Sequence, residues 1–168
     1  AGSQPPPFFM ESALNNASIL SRVAVIQCSS YEPQEVLACV ARGIDLLGGA
    51  DQFAKPGETL LLKPNLLVSL PPESVAVTHP VVFSAVAQVL AETQATLTYG
   101  DSPGFEPRQG AAAHKAGIQA AAEALGLTAA DMSTQCEVDN PNGALIKRFT
   151  LAKGVVEADG LVSISKLK

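Results

Sequence analysis

Apolar and polar residues follow two alternating spacings along this chain, and these spacings predict alternating strands and helices. Short apolar runs predict strands at Arg22–Cys28, Thr59–Leu62 and Thr96–Tyr99. Between these runs, apolar residues recur every three or four positions, as on one face of a helix. They are Val36, Val40, Ile44 and Leu47 in one predicted helix, and Val82, Val86, Val89 and Leu90 in the next.

The second half of the chain continues the alternation. Gly110–Leu125 is predicted as one Ala-rich helix that ends at Gly126, and residues 137–143 are polar and turn-rich. An edge strand, a short helix and a last strand are predicted at Arg148–Ala152, Val155–Ala158 and Gly160–Ser165. This order predicts an α/β fold with a Rossmann-like, doubly wound, mostly parallel sheet and helices on both faces.

The chain is long enough for one domain preceded by a tail. Residues 1–20 are predicted to be a disordered tail or cloning scar, because they begin Ala1-Gly2-Ser3 and include three consecutive prolines. Residues 21–168 are predicted to form a single α/β domain. Since the last predicted strand has no element after it, we expect this domain to be the N-terminal fragment of a longer protein.

Charge and cysteine content argue against several classes of function. The net charge is -5 without any basic run, so neither nucleic acid nor a membrane is expected as a partner. No apolar run approaches the length of a membrane span and no signal peptide is evident, so a cytoplasmic location is predicted. Cys28, Cys39 and Cys136 are widely spaced, so we expect small, buried, reduced side chains and no metal site.

Polar motifs follow three of the predicted strands, at the point where each strand ends. The carboxyl ends of parallel strands meet at one edge of a sheet, where ligands bind in this fold class. Lysines and the start of the helix after His79 favour a small anionic ligand such as a phosphate or carboxylate. The predicted ligand-binding residues are Lys63, Asn65, Thr78, His79, Asp101, Ser102, Lys166 and Lys168.

The same residues allow other interpretations. Asp101 could pair with a lysine, hold a metal with His79, or act as a base, and Lys63, His79 and Asp101 are the catalytic candidates. Each motif also has the composition of a plain turn or helix cap. Neither a dinucleotide fingerprint nor a phosphate-binding loop is found, so no reaction is indicated.

Several motifs in order resemble domain-of-unknown-function family 362, whose members are often described as iron–sulfur cluster-binding proteins. The resemblance covers Arg22 to Lys168, and the motifs are specific only as a set. They are Val23–Ile26, Gly43–Gly49, Lys55–Gly57, Leu62–Leu67, Thr78–Pro80, Gly100–Gly104 and Ser165–Lys168.

The resemblance implies an iron–sulfur or redox association without a settled activity. Many longer members carry a C-terminal ferredoxin-like region with clustered cysteines, which would be a partner of this domain. The three cysteines here do not match cluster spacing, so no cofactor is identified within the chain. An iron–sulfur cluster is therefore implied only for the parent protein, beyond Lys168.

Three functions remain open from the sequence. The first is the ligand-binding part of a redox-associated protein, which holds an anionic small molecule at the strand edge. The second is an enzyme core with isomerase- or racemase-like chemistry on a small carboxylic acid, in which Lys63 or His79 is the acid or base and Asp101 orients it. The third is a structural or assembly module.

Overall fold

A computed structural model describes residues 21–104 and 110–166 of the chain. The helices are α1 (Pro33–Leu46), α2 (Pro80–Ala91), α3 (Ala111–Lys115), α4 (Ile118–Ala124) and α5 (Lys153–Val156). The strands are β1 (Thr59–Pro64), β2 (Thr96–Tyr99), β3 (Thr128–Ala129), β4 (Gln135–Asp139), β5 (Arg148–Ala152) and β6 (Gly160–Ile164). The predicted tail, residues 1–20, lies outside the described residues.

The main sheet has four parallel strands in the order β3-β2-β1-β6. From β1 the chain steps through β2 to β3 in one direction, and it then returns across the sheet to β6. Because connections between parallel strands are right-handed, this reversal puts the two sets of connections on opposite faces. The α/β, doubly wound prediction is confirmed, and its switch point lies between the carboxyl ends of β1 and β6.

The core lies between the sheet and the helices α2, α3 and α4. Leu60 and Leu62 of β1 are almost completely buried, as are Phe83 of α2 and Ile118 of α4. The ring of Phe83 meets that of Tyr99 edge to face, with 6.0 Å between centroids. This packing fixes the ends of β1 and β2, where the candidate site lies.

The predicted strand Arg22–Cys28 is wrong. The segment has no sheet partner, and Val23 and Val25 are 80% and 89% exposed. Both edges of β1 are already paired with β2 and β6, so no position beside β1 is left for it. The segment lies against α1 instead, where the side chain of Ile26 comes within 3.5 Å of the position that a Cβ on Gly43 would take.

The region after Gly110 also differs from the prediction. The single Ala-rich helix is divided into α3 and α4, because Gly117 between them has a left-handed φ of 73°. The edge strand Arg148–Ala152 forms, but it pairs antiparallel with β4 in a separate two-stranded sheet rather than with the main one. The short helix forms one half-turn earlier than predicted, at Lys153–Val156.

Candidate functional site

Lys63 and Asp101 meet at the carboxyl ends of two neighbouring strands. The Lys63 Nζ lies 2.5 Å from Asp101 Oδ1, and Asp101 Oδ2 accepts a hydrogen bond of 2.8 Å from the backbone N–H of Leu66. The Asp101 side chain is only 8% exposed, whereas that of Lys63 is 37% exposed. The carboxylate is therefore held on both oxygens, and the ammonium group still reaches solvent.

Asn65 and Thr78 join the ends of β1 and β6 at the switch point. The Thr78 hydroxyl accepts a hydrogen bond from the Asn65 backbone N–H at 2.8 Å and donates one to the carbonyl of Ile164 at 2.6 Å. The Asn65 side-chain amide donates to the carbonyl of Ala76 at 2.8 Å. Since Thr78 is 2% exposed, its hydroxyl is a buried link between the two strands.

His79 and Lys166 meet around Tyr31, a residue that the sequence analysis missed. The rings of Tyr31 and His79 are stacked with 3.9 Å between centroids, and Lys166 Nζ donates a 3.0 Å hydrogen bond to the Tyr31 hydroxyl. Tyr31 lies in an irregular segment before α1, so no periodic pattern points to it. We call Tyr31, His79 and Lys166 the tyrosine cluster.

His79 is the N-cap residue of α2, and its ring is held in a defined protonation state. Its Nδ1 accepts a 3.3 Å hydrogen bond from the backbone N–H of Val81, which requires an unprotonated Nδ1. Burial and the positive charge of Lys166 lower the pKa of His79, and Glu73 opposes them weakly. Burial and Lys166 therefore favour the neutral form of the imidazole.

A cavity of about 290 Å³ opens beyond the carboxyl ends of β2 and β3. Asp101 and Ser102 line it, and Lys63 is joined to this wall through its ion pair with Asp101. Lys63, His79 and Lys166 are not among its lining residues. Other lining residues, which the sequence analysis missed, are Leu66, Gly100, Gln119, Met132 and Ser133.

Asp131 holds the turn after β3, next to the lining residues Met132 and Ser133. Its Oδ1 accepts hydrogen bonds from the backbone N–H groups of Ser133 and Thr134 and from the Ser133 hydroxyl. These bonds hold the pKa of Asp131 well below its usual range. Asp131 is thus an ionised turn residue, and it fixes the segment that carries Met132 and Ser133.

The predicted residues therefore fall into two neighbouring groups rather than one. One group is at the cavity, where Asp101 and Ser102 line the wall and Lys63 contacts Asp101. The other is the tyrosine cluster, which contains His79 and Lys166. The Asn65–Thr78 link lies at the switch point, and Lys168 lies outside the described residues.

The cysteines differ from expectation. Cys28 is exposed, and Cys39 and Cys136 are half-buried, so the prediction of three buried side chains is wrong. Among residues 21–104 and 110–166, no group of three His, Cys, Asp or Glu side chains is arranged to hold a metal ion. In those same ranges, no helix is long and apolar enough to cross a membrane.

Comparison with known proteins gives one family and one named relative. Residues 60–168 match the family model described as "Domain of unknown function (DUF362)". The chain is 31% identical over 150 residues to "Thylakoid-associated protein sll1697" of Synechocystis sp. (strain ATCC 27184 / PCC 6803 / Kazusa). That match covers 89% of this chain and 46% of the relative, so the chain spans less than half of the relative's length. No solved structure matches the chain.

Proposed function

The chain belongs to the domain-of-unknown-function family 362, and we propose that it binds a small anionic molecule at the carboxyl edge of its sheet. The ligand class is a phosphate or a small carboxylate. Lys63 is the cation that meets the ligand, and the cavity beside Asp101 and Ser102 holds the rest of it.

The observation that carries this proposal is the ion pair of Lys63 with Asp101, which lines the cavity. An ammonium group has three hydrogen-bond donors, and Asp101 Oδ1 occupies one of them. Asp101 is fixed by Leu66, so Lys63 is positioned without being enclosed. A ligand oxygen can therefore bind Lys63 without first breaking the pair.

The cavity supports a compact ligand rather than a dinucleotide. Its volume of about 290 Å³ is at the lower end of small-molecule sites. Its polar lining groups include Ser102, Gln119 and Ser133, which can hydrogen-bond hydroxyl or carboxylate oxygens. These features favour a small hydroxy acid or phosphorylated compound.

The test is thermal denaturation with inorganic phosphate and with lactate as probes. At roughly tenfold above the Kd, a bound anion should raise the melting temperature by roughly 3–6 °C. Lys63→Gln should abolish this rise. Lys55→Gln should retain it, because Lys55 is exposed in the turn before β1, at the opposite edge of the sheet.

Other outcomes of the same experiment would contradict the proposal. If neither probe nor any other small phosphate or carboxylate shifts the melting temperature of the wild type, anion binding is wrong. If Lys63→Gln only lowers the melting temperature and leaves the shift intact, the motif is structural, as the third sequence hypothesis holds.

The same ion pair also supports the enzymatic alternative, in which Lys63 is an acid or base rather than a binding group. Asp101 contacts Lys63 directly, so it could orient Lys63 as an acid or base, whereas His79 stacks on Tyr31. Exchange of the α-hydrogen of lactate in D₂O, lost in Lys63→Gln and kept in Lys55→Gln, would support this alternative. Absence of exchange in the wild type would contradict it for lactate.

The iron–sulfur association remains a separate proposal. The described cysteines do not fit a cluster, since no metal-binding group forms among them. We propose that a cluster, where the family carries one, is held by a C-terminal ferredoxin-like region. Clustered cysteine codons following residue 168 in the natural reading frame would support this, and a stop codon there would contradict it.

We also propose a cytoplasmic location. The Synechocystis relative is named as thylakoid-associated, so a membrane-bound pool is the alternative. In cell fractionation, recovery in the high-speed supernatant would support the proposal. Recovery with washed membranes would contradict it.

A further inference from the structure

Two of the three cysteines meet where the N-terminal segment crosses α1. Cys28 ends the extended segment and is exposed, and Cys39 lies on α1, half-buried. The Cys39 thiol donates to the carbonyl of Gln27 at 3.5 Å, and the Cys28 thiol donates to the carbonyl of Ser30 at 3.3 Å. Both sulfurs therefore sit at the same contact between segment and helix.

Cys28 also affects the pKa of the Cys39 thiol. The pKa of the Cys39 thiol is raised, first by its hydrogen bond with the Cys28 thiol, then by burial and by the negative charges of Cys28 and Glu35. Cys39 therefore stays protonated while Cys28 faces solvent. This is the arrangement of one accessible thiol and one adjacent, protected thiol.

We propose that Cys28 and Cys39 form a reversible redox pair that a low-molecular-weight disulfide, such as oxidised glutathione, converts to an intramolecular disulfide. The groove between the segment and α1 is open to a molecule of this kind. It has a volume of about 400 Å³ and is lined by Gln27, Cys39 and Arg42, while Cys28, the residue next to Gln27, is exposed beside it.

The reaction proceeds in two balanced exchanges. The Cys28 thiol loses its proton to solvent, and the thiolate attacks one sulfur of oxidised glutathione, which forms a mixed disulfide and releases one glutathione thiolate. Cys39 then loses its proton and attacks the Cys28 sulfur, which forms the Cys28–Cys39 bond and releases the second glutathione. The two protons pass to the two glutathione thiolates, and oxidised glutathione gains the two electrons.

The disulfide would close a loop of the chain that contains Tyr31, the residue that contacts His79 and Lys166. Tyr31 lies between the two cysteines in sequence, stacks on His79 and accepts the hydrogen bond from Lys166. Oxidation would therefore fix the exposed segment, including Val23 and Val25, onto α1 beside the tyrosine cluster. Cys136 is not part of this pair, because it lies on β4 opposite Leu151 in the separate sheet.

Mass spectrometry of the full chain in glutathione redox buffers tests the proposal. Free thiols are alkylated at each buffer ratio before trypsin digestion. Cleavage at Arg22 and Arg42 places Cys28 and Cys39 in one peptide, whereas Cys136 falls in the peptide that follows Lys115. With increasing oxidised glutathione, the first peptide should lose both alkylation sites together, and Cys136 should remain alkylated. Further cleavage at Tyr31 should leave two peptides joined by a reducible bond.

Single substitutions distinguish a Cys28–Cys39 disulfide from general oxidation of the thiols. Cys136→Ser should keep the same midpoint, whereas Cys39→Ser should stop at a glutathione adduct on Cys28. Oxidation should also slow amide hydrogen exchange in residues 22–28 of the wild type and not of Cys39→Ser. The proposal is overturned if the wild type stops at the glutathione adduct, if a disulfide forms with Cys136, or if both thiols stay alkylatable throughout.

Discussion

Lys63 and Asp101 form an ion pair across the ends of two adjacent parallel strands, and the partner that is fixed is the aspartate. Asp101 uses one oxygen for Lys63 and the other for the backbone N–H of Leu66. The pair thus connects the end of β1 to the residue that follows Gly100 after β2. Asp101, but not Lys63, lines the cavity that we propose as the ligand site.

Asp101→Ala is expected to destabilise the fold more than Lys63→Ala. It leaves the N–H of the buried Leu66 without its acceptor, which costs about 1–3 kcal/mol. In Lys63→Ala the carboxylate of Asp101 keeps its hydrogen bond from Leu66 and only a partly exposed ammonium group is lost, so the cost there should be smaller. Urea denaturation measures both free energies of unfolding. Equal losses in the two variants would contradict the assignment of Asp101 as the fixed partner.

Thr78→Val should weaken the link between β1 and β6. The substitution keeps the side-chain shape but removes a buried hydroxyl that both accepts and donates, so we expect a loss of about 2–3 kcal/mol. Thr96→Val is the matched control, because Thr96 is exposed at the start of β2, and it should be nearly neutral. A Thr78→Val protein as stable as wild type would show that the hydroxyl does not hold the strands together.

His79 should make stability depend on pH below neutrality. Its folded pKa is lower than the ordinary 6.5, so the unfolded chain binds the proton more readily. The free energy of unfolding should therefore fall as pH decreases from about 6.5 toward the folded pKa, and His79 should contribute no slope above that window.

Two variants isolate this effect. His79→Asn can keep an acceptor for the N–H of Val81 but does not titrate, so it should flatten the slope. The other histidine, His114, is exposed on α3, and His114→Asn should leave the slope as in wild type. Denaturation at a series of pH values measures this, and a slope that survives in His79→Asn would contradict the account.

Gly154→Ala should destabilise the packing of α5 on the segment after β3. A Cβ at this buried position would lie 2.7 Å from the Cβ of Ala130 and 3.2 Å from the backbone N of Asp131. Overpacking of this kind typically costs about 1–3 kcal/mol. Gly104→Ala is the control, since a Cβ there meets nothing within 4 Å. Equal stability of the two variants would show that α5 can shift without cost.

Local patterns predicted β1, β2, β5 and β6, but they predicted neither the two-residue strand β3 nor β4. The apolar runs at Thr59–Leu62 and Thr96–Tyr99 became β1 and β2, because burial on both faces favours such runs. The run at Arg22–Cys28 is also rich in apolar residues, but both edges of β1 are already paired with β2 and β6. Whether an apolar run becomes a strand thus depends on a partner that its own sequence does not specify.

The site was predictable to a similar extent. The rule that parallel strands end at one edge of a sheet predicted that Lys63 and Asp101 lie together, since they lie at the ends of two neighbouring strands. It did not separate His79 and Lys166 from the cavity, because that separation depends on the ring of Tyr31. Nor did it indicate Met132, which reaches the cavity through the turn at Asp131.

The central claim, that an anion binds at Lys63, is tested most directly by backbone amide NMR during titration with phosphate or lactate. Two matched amides report on the two edges of the sheet. Leu66 N–H donates to Asp101 at 2.8 Å, and Thr59 N–H donates to Asp159 at 2.8 Å at the opposite edge. An anion that shares Lys63 with Asp101 should shift the Leu66 resonance in a saturable manner and leave Thr59 unchanged. Lys63→Gln should abolish that shift. A Leu66 resonance that does not move, or that moves equally in Lys63→Gln, would contradict the account.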